Sequence, residues 1–221
     1  MVSDYGPGID AETWFVKSFN DAGGQIVGSV RMPIASPDFS AFVQRAKDVD
    51  PEAIFIFIPG GAQPPAIAKA MQERGIPPSK ILGQGEITMD DNALKSMGDS
   101  AVGIRTVFHY GWEHKSPMNE AFVKAFRDEY KRNPDVFSIG GWDGMHLIYE
   151  TLKKTGGKAD GDSLIAAAKG MSWESPRGPI SIDPNTRDIV QNVYIRRVEK
   201  VGGASQNVEF DKIENVKDPA K

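Results

Sequence analysis

The 221 residues include 26 basic and 30 acidic side chains, giving a net charge of −4, with 40% hydrophobic and 25% charged residues and no cysteine. That balance describes a folded globular chain, and its weak acidity argues against nucleic acid as a partner, because phosphate binding concentrates Lys and Arg. The missing cysteines exclude disulfides, thiolate metal sites and cysteine nucleophiles, and the longest apolar stretch, 53–58, falls far short of the ~20 residues that span a bilayer.

The first half alternates helix and strand. Residues 9–22 place Trp14, Phe15, Ser18, Phe19 and Ala22 at helical spacing, with Gly23-Gly24 as the stop. The alternation over 25–32 predicts a strand ending at Pro33. Pro37-Asp38 then opens a helix carrying Phe39, Phe42, Val43 and Ala46 on one face, and Asp50-Pro51 closes it. Residues 52–58 are nearly all apolar, too short for a helix and rich in β-formers. They predict a strand buried on both faces, as in a parallel sheet covered by helices on each side. A helix follows from Pro64 or Pro65 to Arg74, then a short strand over 80–83, a short helix over 90–97 and a strand over 103–110. The expected fold class is α/β, with a doubly wound parallel sheet lobe.

The pattern changes near Trp112. Residues 117–131 form an amphipathic pattern with Ala121, Phe122, Ala125, Phe126 and Tyr130 on the apolar side. Further helices are predicted over 136–155 and 162–169, the last capped by Asp160, Asp162 or Ser163. Residues 178–182 and 189–198 read as β-structure around the turn Asp183-Pro184-Asn185-Thr186, and 202–221 as a polar, irregular or peripheral tail. The organisation expected is a ligand-binding lobe over 1–110 completed by 178–200, a helical part of a second, truncated lobe over 111–177, and a tail over 201–221. Tyr5-Gly6-Pro7-Gly8 resembles a loop after a strand with almost no chain before it, and the later helices lack strands to cover them. Both features suggest the later part of a longer protein.

These segments, in their order and spacing, resemble the periplasmic solute-binding proteins of branched-chain amino-acid type (Leu/Ile/Val-binding-like) ABC transporters, with the type I periplasmic binding fold. The resemblance rests on Ser3-Asp4-Tyr5-Gly6-Pro7-Gly8 followed by Asn20-Asp21-Ala22-Gly23-Gly24, and on Phe39 to Ala46 followed by Asp50-Pro51-Glu52-Ala53-Ile54-Phe55. It continues through Leu82-Gly83-Gln84-Gly85-Glu86, Ala101-Val102-Gly103, Asn133-Pro134 and the run from Gly141-Trp142-Asp143 to Tyr149. Pro176-Arg177-Gly178-Pro179-Ile180 and Asn192-Val193-Tyr194-Ile195-Arg196 complete it. The resemblance implies a small carboxylate ligand (a branched-chain amino acid or an aromatic acid), a two-lobe cleft that closes on it, delivery to a membrane permease, a periplasmic location and no cofactor or metal. It also implies that most of the first lobe, with its ligand-carboxylate contacts, is missing. Self-association of the remaining portion is expected from its uncovered apolar surface. A cytosolic ligand sensor of the same fold is the alternative, and a flavodoxin-like nucleotide-binding enzyme a third reading.

The candidate ligand-binding residues are Tyr5, Gly8, Pro59, Gly60, Glu86, Tyr110 and Trp142. Tyr5 sits in a strand-to-helix turn at the carboxyl edge of a parallel sheet, where ligands collect; a surface turn tyrosine is the competing reading. Gly8 opens a helix whose free amides suit an anion, or it simply makes a turn. Pro59-Gly60 follows the most buried strand, and its glycine either lets a ligand approach or shapes the loop. Glu86 is placed by the resemblance, as an acidic partner for a ligand ammonium, against a solvated alternative. His109-Tyr110 falls where the chain leaves for the other lobe. Trp142 can reach the cleft, whereas Asp143 suits a helix N-terminus. Arg177 forks onto a carboxylate or holds its own turn. No Walker loop, HExxH or Gly-x-Ser-x-Gly occurs, and His109, His114 and His146 lack a metal-ligand spacing, so an enzyme is not expected.

Overall fold

A computed structural model describes residues 1–35, 38–88 and 91–219, and the side chain of Glu86 lies outside the description. The chain divides into two compact units. Unit 1 comprises Met1–Val107 and Arg196–Val208, and unit 2 comprises Phe108–Ile195 and Glu209–Lys221. Among the described residues no helix is long and apolar enough to cross a membrane.

Unit 1 begins β1 (Val2–Ser3), α1 (Gly6–Asp21), β2 (Arg31–Met32), α2 (Ser40–Asp48) and β3 (Ile54–Ile56). It continues α3 (Gln63–Glu73), β4 (Ile81–Gln84), α4 (Asp91–Met97) and β5 (Arg105–Phe108), the last strand reaching one residue past the boundary. β1 pairs in parallel with β2 on one side, and Val2 bridges in parallel to Phe57 on the other. Backbone bonds Ser3 N to Phe57 O at 2.9 Å and Phe57 N to Met1 O at 3.0 Å tie β1 beside β3. β3, β4 and β5 follow as parallel neighbours. The spatial order is therefore β2-β1-β3-β4-β5, a doubly wound order whose connections diverge between β1 and β3.

The buried-strand prediction is met. Ile54, Ile56, Phe57 and Ile58 are at most 9% exposed, while Phe55 stacks on Phe15 of α1 with ring centroids 4.0 Å apart. The strand predicted over 25–32 shrinks to Arg31–Met32, because β1 offers only two residues to pair with; the ladder reaches back as far as the Val30 carbonyl, which accepts from Val2 N at 2.9 Å. In the second helix the turn begins at Ser40, whose amide is held by the Asp38 carboxylate at 2.9 Å; Pro37 lies outside the described residues.

Unit 2 holds α5 (Pro117–Tyr130), α6 (Val136–Lys154), α7 (Gly161–Ala168), β6 (Ser172–Ser175) and β7 (Gly178–Ile182). Ser116, Asp135 and Asp160 cap the three helices by accepting from backbone amides, and Asp135 with Ser138 forms a reciprocal box. The helix containing Asp143 thus starts at Val136, and Asp143 is interior to it and not at its N-terminus. β6 and β7 form an antiparallel hairpin, and β7 pairs with the first residues of β8 (Ile189–Val201).

β6 was not anticipated, and β8 enters unit 1 at Arg196 and runs on past 198 to Val201, with Val198 exchanging backbone bonds with Gly103 and Ile104. The expected irregular tail is largely a thirteen-residue strand, β9 (Ala204–Val216), paired with β8. A polar strand of this kind is hard to read because one face is solvated and its order comes from a long partner already in place. β8 and β9 each contribute to both units, so the boundary cuts across both strands, including the 189–198 strand expected within one lobe.

Candidate functional site

The crevice of a doubly wound sheet opens at the carboxyl ends of the strands where the connections diverge, here between β1 and β3. The loops leaving those two strands are Asp4-Tyr5 and 57–62, which carry three of the sequence candidates, Tyr5, Pro59 and Gly60. Tyr5 is half-buried in extended backbone at the N-cap of α1, and its ring lies 6.3 Å from that of Phe57 at a 40° tilt. Pro59 and Gly60 are half-buried, and Gly61 turns the loop with φ +85°. The arrangement offers the half-buried Tyr5 ring, backed by the buried Phe57 ring, and the loop backbone at Gly60, a surface suited to an apolar body.

Gly8 lies in the first turn of α1, packed against the end of β1. It is buried, and a Cβ added there would overlap the Ser3 carbonyl oxygen, so a glycine is what lets α1 start against the end of β1. Ser3 is 1% exposed, and its hydroxyl has no hydrogen-bond partner among the described residues. Neighbouring β4 ends in a 3-10 turn, Gly85–Ile87, that carries Glu86. The expectation for the Glu86 side chain lies outside the described residues. The turn lies flat on the sheet because Gly83 lacks a side chain: Ile87 Cγ2 stands 2.6 Å from where its Cβ would be.

Two features here were missed by sequence reasoning. Thr88 donates its hydroxyl to Asn207 Oδ1 at 2.8 Å, and Asn207 Nδ2 donates to the Thr88 carbonyl at 2.9 Å. Arg196, 1% exposed, donates through Nε and Nη2 to Thr106 Oγ1 at 3.2 and 3.1 Å. The residues of each pair are about a hundred positions apart, beyond any local signal.

Tyr110 and Trp142 belong to unit 2. Tyr110 is 2% exposed and donates its hydroxyl to Asn119 Oδ1 at 3.1 Å; burial, and then the charges of Glu113 and Asp135, push its phenol far up. Asn119 Nδ2 reaches the carbonyls of Trp112 at 3.0 Å and His114 at 2.7 Å, so Tyr110 helps tie the loop before α5. A groove of about 340 Å³ lies between that loop and α5, walled by Trp112, Lys115, Glu120 and Arg127. Trp142 is half-buried and stacks on His146 at 5.1 Å, edge-on to Phe122 at 6.4 Å.

The Arg177 guanidinium meets a carboxylate of the chain itself, and so ties its turn to α6 and β8. Its Nε donates to Asp143 at 2.7 Å and its Nη1 to Gln191 at 2.7 Å. Among the described residues no cluster of three metal-ligating side chains occurs.

Comparison with known proteins places these observations. The periplasmic binding protein family matches residues 1–204. A Leu/Ile/Val-binding protein homolog 6 of Brucella melitensis is 42% identical over 224 residues, covering 99% of this chain and 57% of that protein. Among solved structures, a solute-binding protein of an ABC transporter from Rhodopseudomonas palustris BisB5, in complex with 3,4-dihydroxybenzoic acid, is 54% identical with a TM-score of 0.90. A counterpart from R. palustris HaA2, in complex with p-hydroxybenzoic acid, is 41% identical with a TM-score of 0.93. Each alignment covers 99% of this chain and 60% of the solved chain, so the sequence spans about three-fifths of the length of these relatives.

Proposed function

The chain belongs to the periplasmic binding protein family, and on that premise we propose that it supplies one ligand-facing wall of the solute-binding component of an ABC transporter. The reading is carried by the loops that flank the β1/β3 divergence, where the Tyr5 ring, backed by the buried Phe57, and the Pro59-Gly60 backbone stand at the strand ends. Such a wall grips an apolar solute by contact and dipoles and performs no covalent chemistry, so the chain acts as a receptor and not an enzyme. In the complete protein, solute touching both lobes favours the closed form by its extra contact free energy, and the closed form is what a membrane permease receives in the periplasm.

The ligand is a small aromatic carboxylic acid. Support comes from the 54%-identical solute-binding protein that holds 3,4-dihydroxybenzoic acid and from the two aromatic rings at the crevice. A branched-chain amino acid is the second reading, favoured by the name of the Brucella relative and by Glu86 on the turn after β4, which would pair with an ammonium. A cytosolic sensor of the same fold differs only in location, and finding an exported precursor separates the two.

The test is an NMR titration of the chain with 4-hydroxybenzoate and, separately, L-leucine. Because the chain spans about three-fifths of the length of its solved relatives and offers the ligand one wall, binding is expected in the millimolar range, near 4 kcal/mol. Saturable shifts should centre on Tyr5, Phe57, Gly60 and Thr88 and be larger for the aromatic acid. Shifts confined to other residues, or none at all, would refute the proposal.

A further inference from the structure

We propose that Asn207 is a positioning residue for the turn after β4 and thereby sets the ligand preference of the site, an inference that rests on the strand-end wall proposed above. Asn207 lies in β9, 119 positions along the chain from Thr88, and the two side chains are 4% and 0% exposed. Their contact is reciprocal. The Thr88 hydroxyl donates to Asn207 Oδ1 and the Asn207 amide donates to the Thr88 carbonyl, as two strands would exchange bonds.

The Thr88 amide is already used, donating to Gly85 O at 3.0 Å to close the turn. Every polar group of Thr88 is therefore fixed, two of them by one side chain from another strand. On the sheet side, Ile87 fills the space that Gly83 leaves, with Thr106 beside it. The turn is thus suspended between β4 and β9, and Glu86 is one of its three residues.

A backbone held at both sides sets where residue 86 stands with respect to the crevice. Releasing the β9 side frees the turn without altering Tyr5 or Phe57. Contacts from the β1 and β3 loops serve an aromatic acid and an amino acid alike, whereas residue 86 distinguishes a ligand with an ammonium from one without. Loss of Asn207 should therefore change the ratio of affinities and not merely lower both.

The experiment compares the unaltered chain with Asn207→Ala, Thr88→Val and the conservative Thr88→Ser, by amide exchange and by titration with 4-hydroxybenzoate and L-leucine. In Asn207→Ala the Thr88 amide should exchange about tenfold faster relative to that of Phe57, and the affinity ratio should move by about fivefold. Thr88→Val should act in the same direction, and Thr88→Ser should leave the ratio within about twofold of the unaltered chain. A purely structural role scales both affinities together, and an unchanged ratio in Asn207→Ala overturns the preference claim. Unchanged Thr88 exchange overturns the clamp itself. If the unaltered chain binds neither ligand, the wall reading and the preference fall together, while exchange still decides whether Asn207 holds the turn.

Discussion

Arg177 Nε lies 2.7 Å from Asp143 Oδ2, with the two side chains only 9% and 6% exposed. The second Asp143 oxygen accepts from Trp173 Nε1 at 3.1 Å, and the Arg177 carbonyl accepts from the Tyr194 hydroxyl at 2.7 Å. One carboxylate in α6 thus joins that helix to β6 and to the turn before β7. Removing either partner leaves an uncompensated buried charge, which costs far more than the net worth of the pair. Asp143→Ala should destabilise the chain by about 3–5 kcal/mol in urea unfolding. The paired replacement Asp143→Leu with Arg177→Met should recover most of that loss, and equal losses for the single and double changes would contradict this account.

Gly8 and Gly6 stand two residues apart at the start of α1 and should respond oppositely to a methyl group. A Cβ at Gly8 overlaps the Ser3 carbonyl oxygen, a backbone atom that cannot swing aside, whereas at Gly6 it meets nothing within 4 Å. Gly8→Ala should cost about 1–3 kcal/mol by overpacking. Gly6→Ala should be neutral or slightly stabilising, since alanine is the better helix former. Thermal melting of the two variants checks the contrast, and a harmless Gly8→Ala would show that α1 can slide off the end of β1.

The parts legible from sequence were those whose signal is local. The run 53–58 announced a buried parallel strand because it leaves no polar face to expose, and β3 is found there. Asp160 was among three candidate caps, and its carboxylate accepts the Ser163 amide at 2.9 Å. The apolar side read on α5 fared differently. Ala121, Ala125 and Tyr130 are exposed and Phe122 and Phe126 half-buried, while Asn119 and Val123 are the buried residues. Periodicity reports which side of a helix is apolar, but burial depends on whether another element arrives to cover it. At the candidate site, the strand-end positions of Tyr5 and Pro59-Gly60 were readable from strand-to-turn punctuation. The Thr88–Asn207 and Arg196–Thr106 pairs were not, since only tertiary folding makes them neighbours.

Tyr194 should reveal itself in alkali. Burial first, and then the nearby Glu209 carboxylate, raise its phenol from 10 to about 12, and its hydroxyl is committed to the Arg177 carbonyl. A phenol whose folded pKa is raised contributes stability that is fully present below pH 10 and is lost as pH climbs from there toward about 12. Absorbance at 295 nm should show a late ionisation step near pH 12, and Tyr194→Phe should shrink it. Tyr110, buried and bonded to Asn119, should resist ionisation as well and leave a residual late phase. Complete titration of all five tyrosines near pH 10 in the folded chain would refute this.

α6 presents two faces, and the described residues cover one of them. Ile139, Asp143 and Thr151 are buried, whereas Phe137, Met145, Ile148 and Tyr149 are 75%, 44%, 45% and 56% exposed on the far side. Gly141 and Gly144 lie along the same stripe, where an added Cβ would meet nothing within 4 Å, so another surface can approach closely. Covering each of the four exposed side chains stabilises by roughly 1 kcal/mol, given that about half of each remains to be buried. Two copies meeting through this stripe would gain about 8 kcal/mol against an association cost of ~4–15 kcal/mol. The balance is marginal, so self-association should be weak and concentration-dependent. Sedimentation velocity over a wide concentration range should show a rising average mass, and Phe137→Asp with Ile148→Asp should abolish the rise without altering the fold. A mass that stays monomeric at the highest concentration, or a rise that survives the double change, would place the association elsewhere or deny it.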